Sequence, residues 1–307
     1  FSIMLIALMC AYPASGAFVG LSQSTLMDLE PARHEHNMAR WTFVGAIGVL
    51  GGSLVLSLFT ALALGWRAVF VLDAGIAALL VIAMWRVDSD PAREPDEPQS
   101  LRSGLLNALH ALQRSDVLRW LILLQFADLL LDVLLGYVTL YFVDVTGVTA
   151  AEAAIGVAVW MGASLLGDLV MIPLLERVQG LIWLRLSAVI ELILFPAFLL
   201  VAGFLPKLIL LCLVGLFSSG WYAILQSQLY SALPGQSGTV LALSQIASTI
   251  GGGLLPLIIG LAAEHVGIGL AIGIVALAPI ALLIGLPRRR DSSSHVLQEA
   301  SPTFEGD

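Results

Sequence analysis

Nine apolar runs, separated by short polar connections, set the hydrophobic pattern of this chain. Most of them reach the length of about 20 residues that a helix needs to cross bilayer hydrocarbon. The runs lack the alternation of barrel strands, and hydrocarbon offers the backbone no hydrogen-bond partner, so each run is predicted to be a helix. They cover residues 1–27, 41–64, 68–85, 120–143, 153–175, 182–204, 208–233, 239–263 and 266–287.

The composition places these helices in a membrane. Apolar residues make up 59% of the chain, charged residues 12%, and the mean hydropathy is +0.95, far from the usage of soluble domains. The sequence therefore predicts an all-α polytopic membrane protein whose main surroundings are the lipid bilayer. The net charge of -8 comes mainly from a connection and the tail, so no nucleic-acid partner is expected, and no obligate protein partner is evident.

Basic residues in the connections predict the orientation. Twelve of the 14 lysines and arginines fall on one side of the predicted membrane, and only Arg67 and Lys207 fall on the other. Positive charge is retained on the cytoplasmic side. We therefore expect the central connection and the C-terminus to be cytoplasmic, in a multi-pass protein of the cell membrane, such as a bacterial inner membrane.

The central connection separates two groups of helices. Residues 88–100 are rich in proline and charge and predict a flexible linker. Residues 101–112 carry leucines at helical spacing, as in an amphipathic helix on the membrane surface. The predicted division is residues 1–87 for three helices, 88–117 for a cytoplasmic linker, 118–287 for six helices and 288–307 for a disordered tail.

An internal repeat relates the two groups. Ser15–Pro31 (SGAFVGLSQSTLMDLEP) matches Ser219–Pro234 (SGWYAILQSQLYSALP) with one gap, and each copy precedes a glycine cluster in the next run. The offset is about 200 residues and six runs, so the copies keep the same orientation, as in transporters with parallel six-helix repeats. The first half then shows only its last three helices, and three spans are expected before Phe1.

With these features the chain resembles the major facilitator superfamily over nearly all of residues 1–287. GWRAVF (Gly65–Phe70) and PLIIGLAAEHVG (Pro256–Gly267) fit that family, and Ser22–Trp41 is similar to bacterial drug exporters related to fosmidomycin resistance. The resemblance implies that the nine runs correspond to helices 4–12 of a six-plus-six transporter. It also implies that the first, fourth and seventh runs line a central cavity.

Two acids lie near the middle of the fourth run. On a helical wheel at about 100° per residue, Asp128 and Asp132 share a narrow face with Gln125 and Thr139. A carboxylate at that depth is costly, so it usually faces a water-filled cavity, has a cationic partner or carries a proton. Asp128 and Asp132 are therefore predicted to bind and release the coupling proton; a polar contact between helices is the alternative.

Polar and aromatic stripes mark the candidate substrate cavity. Donors, acceptors and ring faces on cavity-lining helices suit a small amphipathic substrate, although each such residue alone also suits a contact between helices. The candidates are Tyr12, Ser15 and Gln23 in the first run, Gln125 and Thr139 in the fourth, and Ser219, Trp221, Tyr222, Gln226 and Tyr230 in the seventh.

A charged loop near the fifth run is the candidate gate. Residues 174–185 (LLERVQGLIWLR) resemble a degraded copy of the family's charged cytoplasmic loop. The resemblance assigns Glu176 and Arg177 to a latch between helices, with Asp168 at the cytoplasmic end of the same run. RHEH (Arg33–His36) is interpreted as a solvated connection and not as a metal site.

The sequence thus predicts a secondary transporter that exports a small drug-like or amphipathic molecule in exchange for protons. It needs no cofactor besides a proton gradient. Uptake or exchange of a sugar or organic acid is the alternative, because the glycine motif of family antiporters lacks its proline beside Gly48. An intramembrane enzyme is a remote possibility, since neither a facing aspartate pair in the required context nor a serine–histidine pair occurs in the runs.

Overall fold

The computed structural model describes residues 2–85 and 101–287, and every regular element in these ranges is a helix. The all-α prediction is confirmed. The linker at 88–100 and the tail at 288–307 lie outside the described residues. The helices are α1 (Ser2–Leu29), α2 (His34–Ala61), α3 (Trp66–Trp85), α4 (Leu101–Leu112), α5 (Ser115–Asp128), α6 (Leu134–Tyr141), α7 (Ala150–Leu174), α8 (Gly180–Leu200), α9 (Phe204–Ser218), α10 (Trp221–Ala232), α11 (Ser237–Val266), α12 (Ile268–Ala271) and α13 (Leu277–Gly285).

Eight segments of the described ranges are long and apolar enough to cross a membrane. They correspond to eight of the nine predicted runs. The remaining run, the third, forms α3 as a 20-residue helix but is not among those eight segments. The predicted count of nine spans is therefore not confirmed.

The fourth predicted run is not a uniform α-helix. After α5 ends at Asp128, residues Leu129–Val133 form a π-helical turn, and α6 follows. In a π turn each backbone N–H bonds to the carbonyl five residues back, so the turn is wider than an α-helical one. Side chains beyond the turn are rotated away from their places on a regular wheel, and Asp132 lies within the turn itself.

The seventh predicted run is broken in the middle. α9 ends at Ser218, and α10 begins at Trp221 after Gly220 adopts a left-handed conformation with φ of 80°. A residue with a Cβ is strained in that conformation, so glycine suits the break. The break leaves the N-terminus of α10 inside the bundle, where its first backbone N–H groups have no partner within the helix.

Glycines let α9 approach α7 closely. The Trp160 ring lies on Gly215, and the Ser219 side chain lies on Gly167, in both cases where a Cβ would stand. Ser219 Oγ donates to the Ser164 carbonyl oxygen at 3.0 Å. These contacts fix the position at which the chain breaks between α9 and α10.

Lys207 caps the far end of α8. The side chain is 4% exposed, and Nζ donates to the carbonyl oxygens of Phe198 and Leu199 and to the Tyr141 hydroxyl group at 2.6, 3.1 and 2.7 Å. The two carbonyl groups belong to the last turn of α8, where a cation is favourable because the helix dipole is negative there. A single cation thereby ties α6, α8 and α9 together.

Helices α1 and α2 meet the later helices at one end of the bundle. Their buried residues are confined to the last part of α1, from Gly20 to Met27, and to the first part of α2, His36–Ala39. Glycines in α2 lie at positions 45, 48, 51 and 52. In this structure a Cβ at Gly48 or at any of the other three would meet no atom within 4 Å, so they face open space.

Candidate functional site

A cavity of about 480 Å³ lies between α2, α5, α7, α10 and α11. Its size falls within the range of about 300–1,000 Å³ that is usual for small-molecule sites. The walls are formed where α5 gives way to the π turn and where α9 breaks from α10. The lining residues are Thr42, Asp128, Leu131, Asp132, Val133, Ser164, Asp168, Ser218, Ser219, Gly220, Trp221, Tyr222, Ala223, Ser248, Gly252 and Leu255.

Among the described residues, three carboxyl groups face this cavity, and no lysine, arginine or histidine lines it. Asp128 and Asp132, the predicted proton-binding residues, lie close enough to interact electrostatically. Asp168 comes from the neighbouring α7, and its carboxylate accepts a hydrogen bond from the Gly220 backbone N–H at the start of α10. The sequence assigned Asp168 to a gating loop, whereas the structure places it in the cavity with the other two acids.

One wall of the cavity is aromatic. Trp221 and Tyr222, both substrate-cavity candidates, begin α10 directly after the break. Trp221 is fully buried, and its Nε1 donates to Ser187 Oγ at 2.8 Å. Tyr222 interacts electrostatically with both aspartates of the fourth run. Ser219 also lines the cavity, although its hydroxyl group is engaged with backbone carbonyl groups.

Gln125 and Thr139 do not line this cavity. The Gln125 side chain lies against Gly251 of α11, where a Cβ would stand, and its Oε1 has no hydrogen-bond partner among the described residues. Thr139 lies beyond the π turn, which rotates it away from the face shared by Asp128 and Gln125 on a regular wheel.

The candidates of α1 fall in two places. Tyr12 is 85% exposed, and it lines a groove on the surface of α1 with Ser15. Gln23 is buried below the cavity, where its Nε2 lies 3.2 Å from Met38 Sδ and its carboxamide interacts with Tyr222. The structure therefore brings Gln23 to the site and leaves Tyr12 and Ser15 away from it.

Two candidates of α10 lie deeper than the cavity. Gln226 Nε2 donates to Ser244 Oγ of α11 at 3.0 Å, and the side chain is 1% exposed. Tyr230 is buried near His34, with ring centroids 6.1 Å apart. Both residues belong to helix contacts and not to the cavity lining.

Glu191 is an acid outside the cavity. It is fully buried in α8, and neither carboxylate oxygen has a hydrogen-bond partner among the described residues. Glu191 therefore makes no hydrogen bond to a neighbouring helix within the described part of the chain.

Below the cavity, polar contacts join α1 and α2 to α7, α8, α10 and α11; we call these contacts the latch. Arg33 Nη2 lies 3.6 Å from Glu176 Oε1, and His36 Nε2 lies 3.8 Å from the same oxygen. Glu176 was a predicted gating residue. Arg177 was another, but its exposed side chain makes no ion pair within residues 2–85 and 101–287. His36 is 5% exposed, so the interpretation of RHEH as a solvated connection is wrong.

Glu35 forms the central contact of the latch. Its Oε2 accepts from the backbone N–H of Gly180 at 3.0 Å, and its Oε1 accepts from Gln228 Nε2 at 2.8 Å. Gly180 is the first residue of α8, so the carboxylate lies at the positive end of a helix dipole. A side chain from α2 thereby caps a helix on the other side of the interface.

The repeat appears again in the outer contacts of the latch. His34 Nδ1 and Ser231 Oγ are hydrogen-bonded at 3.0 Å, and Ser237 Oγ donates to Asp28 Oδ1. Ser231 and Asp28 each lie three residues before the proline of their copy, whereas His34 and Ser237 each lie three residues after it. The two hydrogen bonds are therefore related by the pseudo-symmetry of the repeat. The repeat was the signal from which these partners could have been predicted.

Tyr222 and Gln226 were both predicted to line the substrate cavity, but only Tyr222 does so. Replacing each of them by alanine is therefore expected to have different effects on substrate binding. We expect Tyr222→Ala to weaken substrate binding by roughly tenfold, since it removes an aromatic contact from the cavity wall. Gln226→Ala is expected to leave binding within about threefold and to lower thermal stability, because it leaves Ser244 without its partner. Substrate dose-response curves and thermal unfolding in detergent distinguish the two. Equal effects on binding would contradict the assignment.

In residues 2–85 and 101–287 no group of three or more histidine, cysteine or acidic side chains is arranged to hold a metal ion. The three cavity acids supply oxygen atoms suited to protons and to cationic or hydrogen-bond-donating groups.

Comparison with solved structures shows a common fold. The structure of a transporter named FucP in the outward conformation superimposes with a TM-score of 0.70 at 22% identity, covering 87% of this chain and 71% of FucP. A structure of the Escherichia coli fucose:proton symporter FucP in variant form gives 0.68 at 20% identity, covering 87% and 72%. No curated protein sequence matches this chain.

A family comparison extends the agreement to sequence. The profile of the Major Facilitator Superfamily matches residues 1–256, which include α1 to α10 and most of α11. The fold predicted from the repeat and the span pattern is therefore confirmed. This chain belongs to the Major Facilitator Superfamily of membrane transporters.

Proposed function

We propose that this protein exports a small amphipathic molecule in exchange for protons, by alternating access to the cavity between its two groups of helices. The observation that carries the proposal is the convergence of Asp128, Asp132 and Asp168 on one cavity with an aromatic wall. Carboxyl groups at this depth are costly unless they serve an ion or proton path.

The lining favours some substrates over others. Because three acids and no basic residue line the cavity within the described part of the chain, an organic acid would meet like charge. A cationic or neutral head group would meet acceptors, and its apolar part would meet Trp221 and Tyr222. The drug-like, amphipathic class of substrate is supported by this chemistry.

The latch supports one conformational state. It joins the two groups of helices at the end that carries most of the basic residues, while the first part of α1 is exposed at the opposite end. If that basic end is cytoplasmic, as the positive-inside rule predicts, the cavity is closed toward the cytoplasm. The state is then outward-facing, in a protein of the cell membrane.

Proton-coupled uptake of a sugar is the second candidate. It is favoured by the shared fold with a fucose:proton symporter, and the serine hydroxyl groups of the cavity suit a neutral polyol. Export and uptake differ in the direction of the proton relative to the substrate.

Transport by the full-length protein in liposomes distinguishes the two. A permanently charged pyridinium dye is offered to vesicles with an acidic lumen, and L-fucose is offered to vesicles with an alkaline lumen, with internal pH recorded. We expect the dye to accumulate while protons leave, and the gradient to be required. Entry of fucose together with protons would replace export by the second candidate, and proton-linked flux of neither probe would contradict both.

A further inference from the structure

A second, smaller cavity adjoins the carboxylate cavity on its side. It has a volume of about 240 Å³ and lies between α2, the π turn with α6, and α7. Leu131, Asp132 and Ser164 line both cavities. The two spaces therefore meet at one of the predicted proton-binding acids.

The lining of the smaller cavity is almost wholly apolar. Apart from the shared Asp132 and Ser164 it consists of alanine, valine, leucine, methionine and tryptophan side chains, among them Val49 of α2 and Leu165 of α7. Such a surface accepts hydrocarbon and offers few partners to water.

The flanks of this cavity face lipid. On α2, Val44 and Leu54 are 65% and 70% exposed, and on α7, Ile155 and Leu166 are 51% and 60% exposed. Both helices are candidate membrane spans, so we expect apolar side chains that stay exposed along them to contact acyl chains. An opening between these helices leads into the hydrocarbon and not into water.

From this geometry we infer that the smaller cavity is a side portal through which an amphipathic substrate enters from the bilayer, its hydrocarbon part lying between α2 and α7 and its head at Asp132. The inference rests on the proposed function for the identity of the substrate. The portal itself is a property of the two cavities, and it can be tested without transport.

A cysteine at position 164 can be reached by a reagent that enters through either cavity, because Ser164 lines both. In the full-length protein with Cys10→Ala and Cys212→Ala, Ser164→Cys is treated in liposomes with two methanethiosulfonates. The dodecyl reagent dissolves in the bilayer, and the trimethylammonioethyl reagent stays in water. Val49→Trp is then added to fill the portal with an indole ring.

We expect Val49→Trp to slow labelling by the dodecyl reagent roughly tenfold, since a filled apolar space excludes the chain. Labelling by the water-soluble cation is expected to stay within about twofold, because that reagent enters through the carboxylate cavity. Leu54→Trp, a matched substitution on the lipid face of the same helix, is expected to change neither rate.

An unchanged dodecyl rate in the Val49→Trp variant, or slowing of both reagents alike, would overturn the portal. Leu131→Cys, which also lines both cavities, replaces Ser164→Cys as the reporter if that variant does not fold. Because labelling needs neither a proton gradient nor a transported substrate, failure of the portal is distinguishable from failure of proton-coupled export.

Discussion

Asp128→Asn in the full-length protein is expected to lower substrate flux driven by a pH gradient by about tenfold or more, because it removes a carboxyl group that we propose takes up and releases the coupling proton in the cavity. Asparagine keeps the size of the side chain and most of its hydrogen-bonding capacity, so the cavity should retain its shape. The measurement is gradient-driven flux in liposomes, compared with exchange of labelled for unlabelled substrate without a gradient. Exchange is expected to be retained in the variant, since no net proton movement is needed for it.

Asp132→Asn is likewise expected to lower gradient-driven flux while exchange without a gradient is retained. Asp132 lies in the π turn beside Asp128, and both line the same cavity, so we propose that the two carboxyl groups act together in coupling. The double variant is then expected to lose little more gradient-driven flux than either single variant, because neither acid alone is sufficient for proton coupling.

Asp144→Asn is the matched control. Asp144 lies directly after the same predicted run, is exposed and does not line the cavity. We expect the Asp144→Asn variant to retain the gradient-driven flux of the unmodified protein. Coupling at the unmodified level in both Asp128→Asn and Asp132→Asn would remove the pair from the proton path, and loss of exchange in both would instead indicate damage to substrate binding.

The sequence was sufficient to predict the helices and the family, because both depend on local or repeated patterns. Apolar runs of spanning length leave the backbone no alternative to helix in hydrocarbon, and the repeat around Pro31 and Pro234 gave the relation between the two groups of helices. The position of Asp128 and Asp132 on a common face was also predictable, since the two residues are only four positions apart.

The helical wheel failed where the backbone departs from a regular α-helix. The π turn at Leu129–Val133 and the break at Gly220 depend on tertiary contacts, such as Ser219 against Gly167, that no periodicity encodes. Thr139 was placed on the cavity face for this reason, and Asp168 was placed outside it. Contacts between α7 and α9, far apart in sequence, place Asp168 near the other acids.

Glu176 was predicted for the latch, but the residues before and at the start of α2 were missed because they looked like a polar connection. Glu35 and His36 follow a proline in a charged stretch, and composition alone indicates exposure to water. Gln228, which donates to Glu35, and Ser231, which is hydrogen-bonded to His34, lie near the second proline of the repeat. Polar residues at matching positions around two repeated prolines predict a pseudo-symmetric contact, and this pattern is applicable to other chains with parallel repeats.

Gly180→Ala is expected to open the latch without disturbing α8. A Cβ at Gly180 would lie 2.7–2.8 Å from the Glu35 carboxylate, too close for van der Waals contact, so Glu35 must move away. It then loses its hydrogen bonds to the Gly180 N–H and to Gln228 Nε2. Alanine is a better helix former than glycine, by up to about 1 kcal/mol. The substitution is therefore expected to weaken the contact between α2 and α8 without destabilising α8 itself.

The closed arrangement is therefore expected to lose roughly tenfold in population, which corresponds to about 1.4 kcal/mol. Spin labels at Thr25→Cys in α1 and Arg177→Cys after α7, in a background without native cysteines, report the distance across the latch. The short-distance population should fall in the Gly180→Ala variant. Glu35→Ala, which removes the carboxylate itself, should produce a shift in the same direction.

Gly238→Ala is the control for this measurement. Gly238 lies in the first turn of α11, as Gly180 lies in the first turn of α8, but a Cβ there would meet no atom within 4 Å. The distance distribution between the two spin labels in the Gly238→Ala variant should match that of the parent protein. If Gly180→Ala and Glu35→Ala also match the parent, the Glu35 contact does not hold the two groups of helices together. Closure at that end must then depend on the pseudo-symmetric pairs, Asp28 with Ser237 and His34 with Ser231, whose hydrogen bonds join α1 to α11 and α2 to α10.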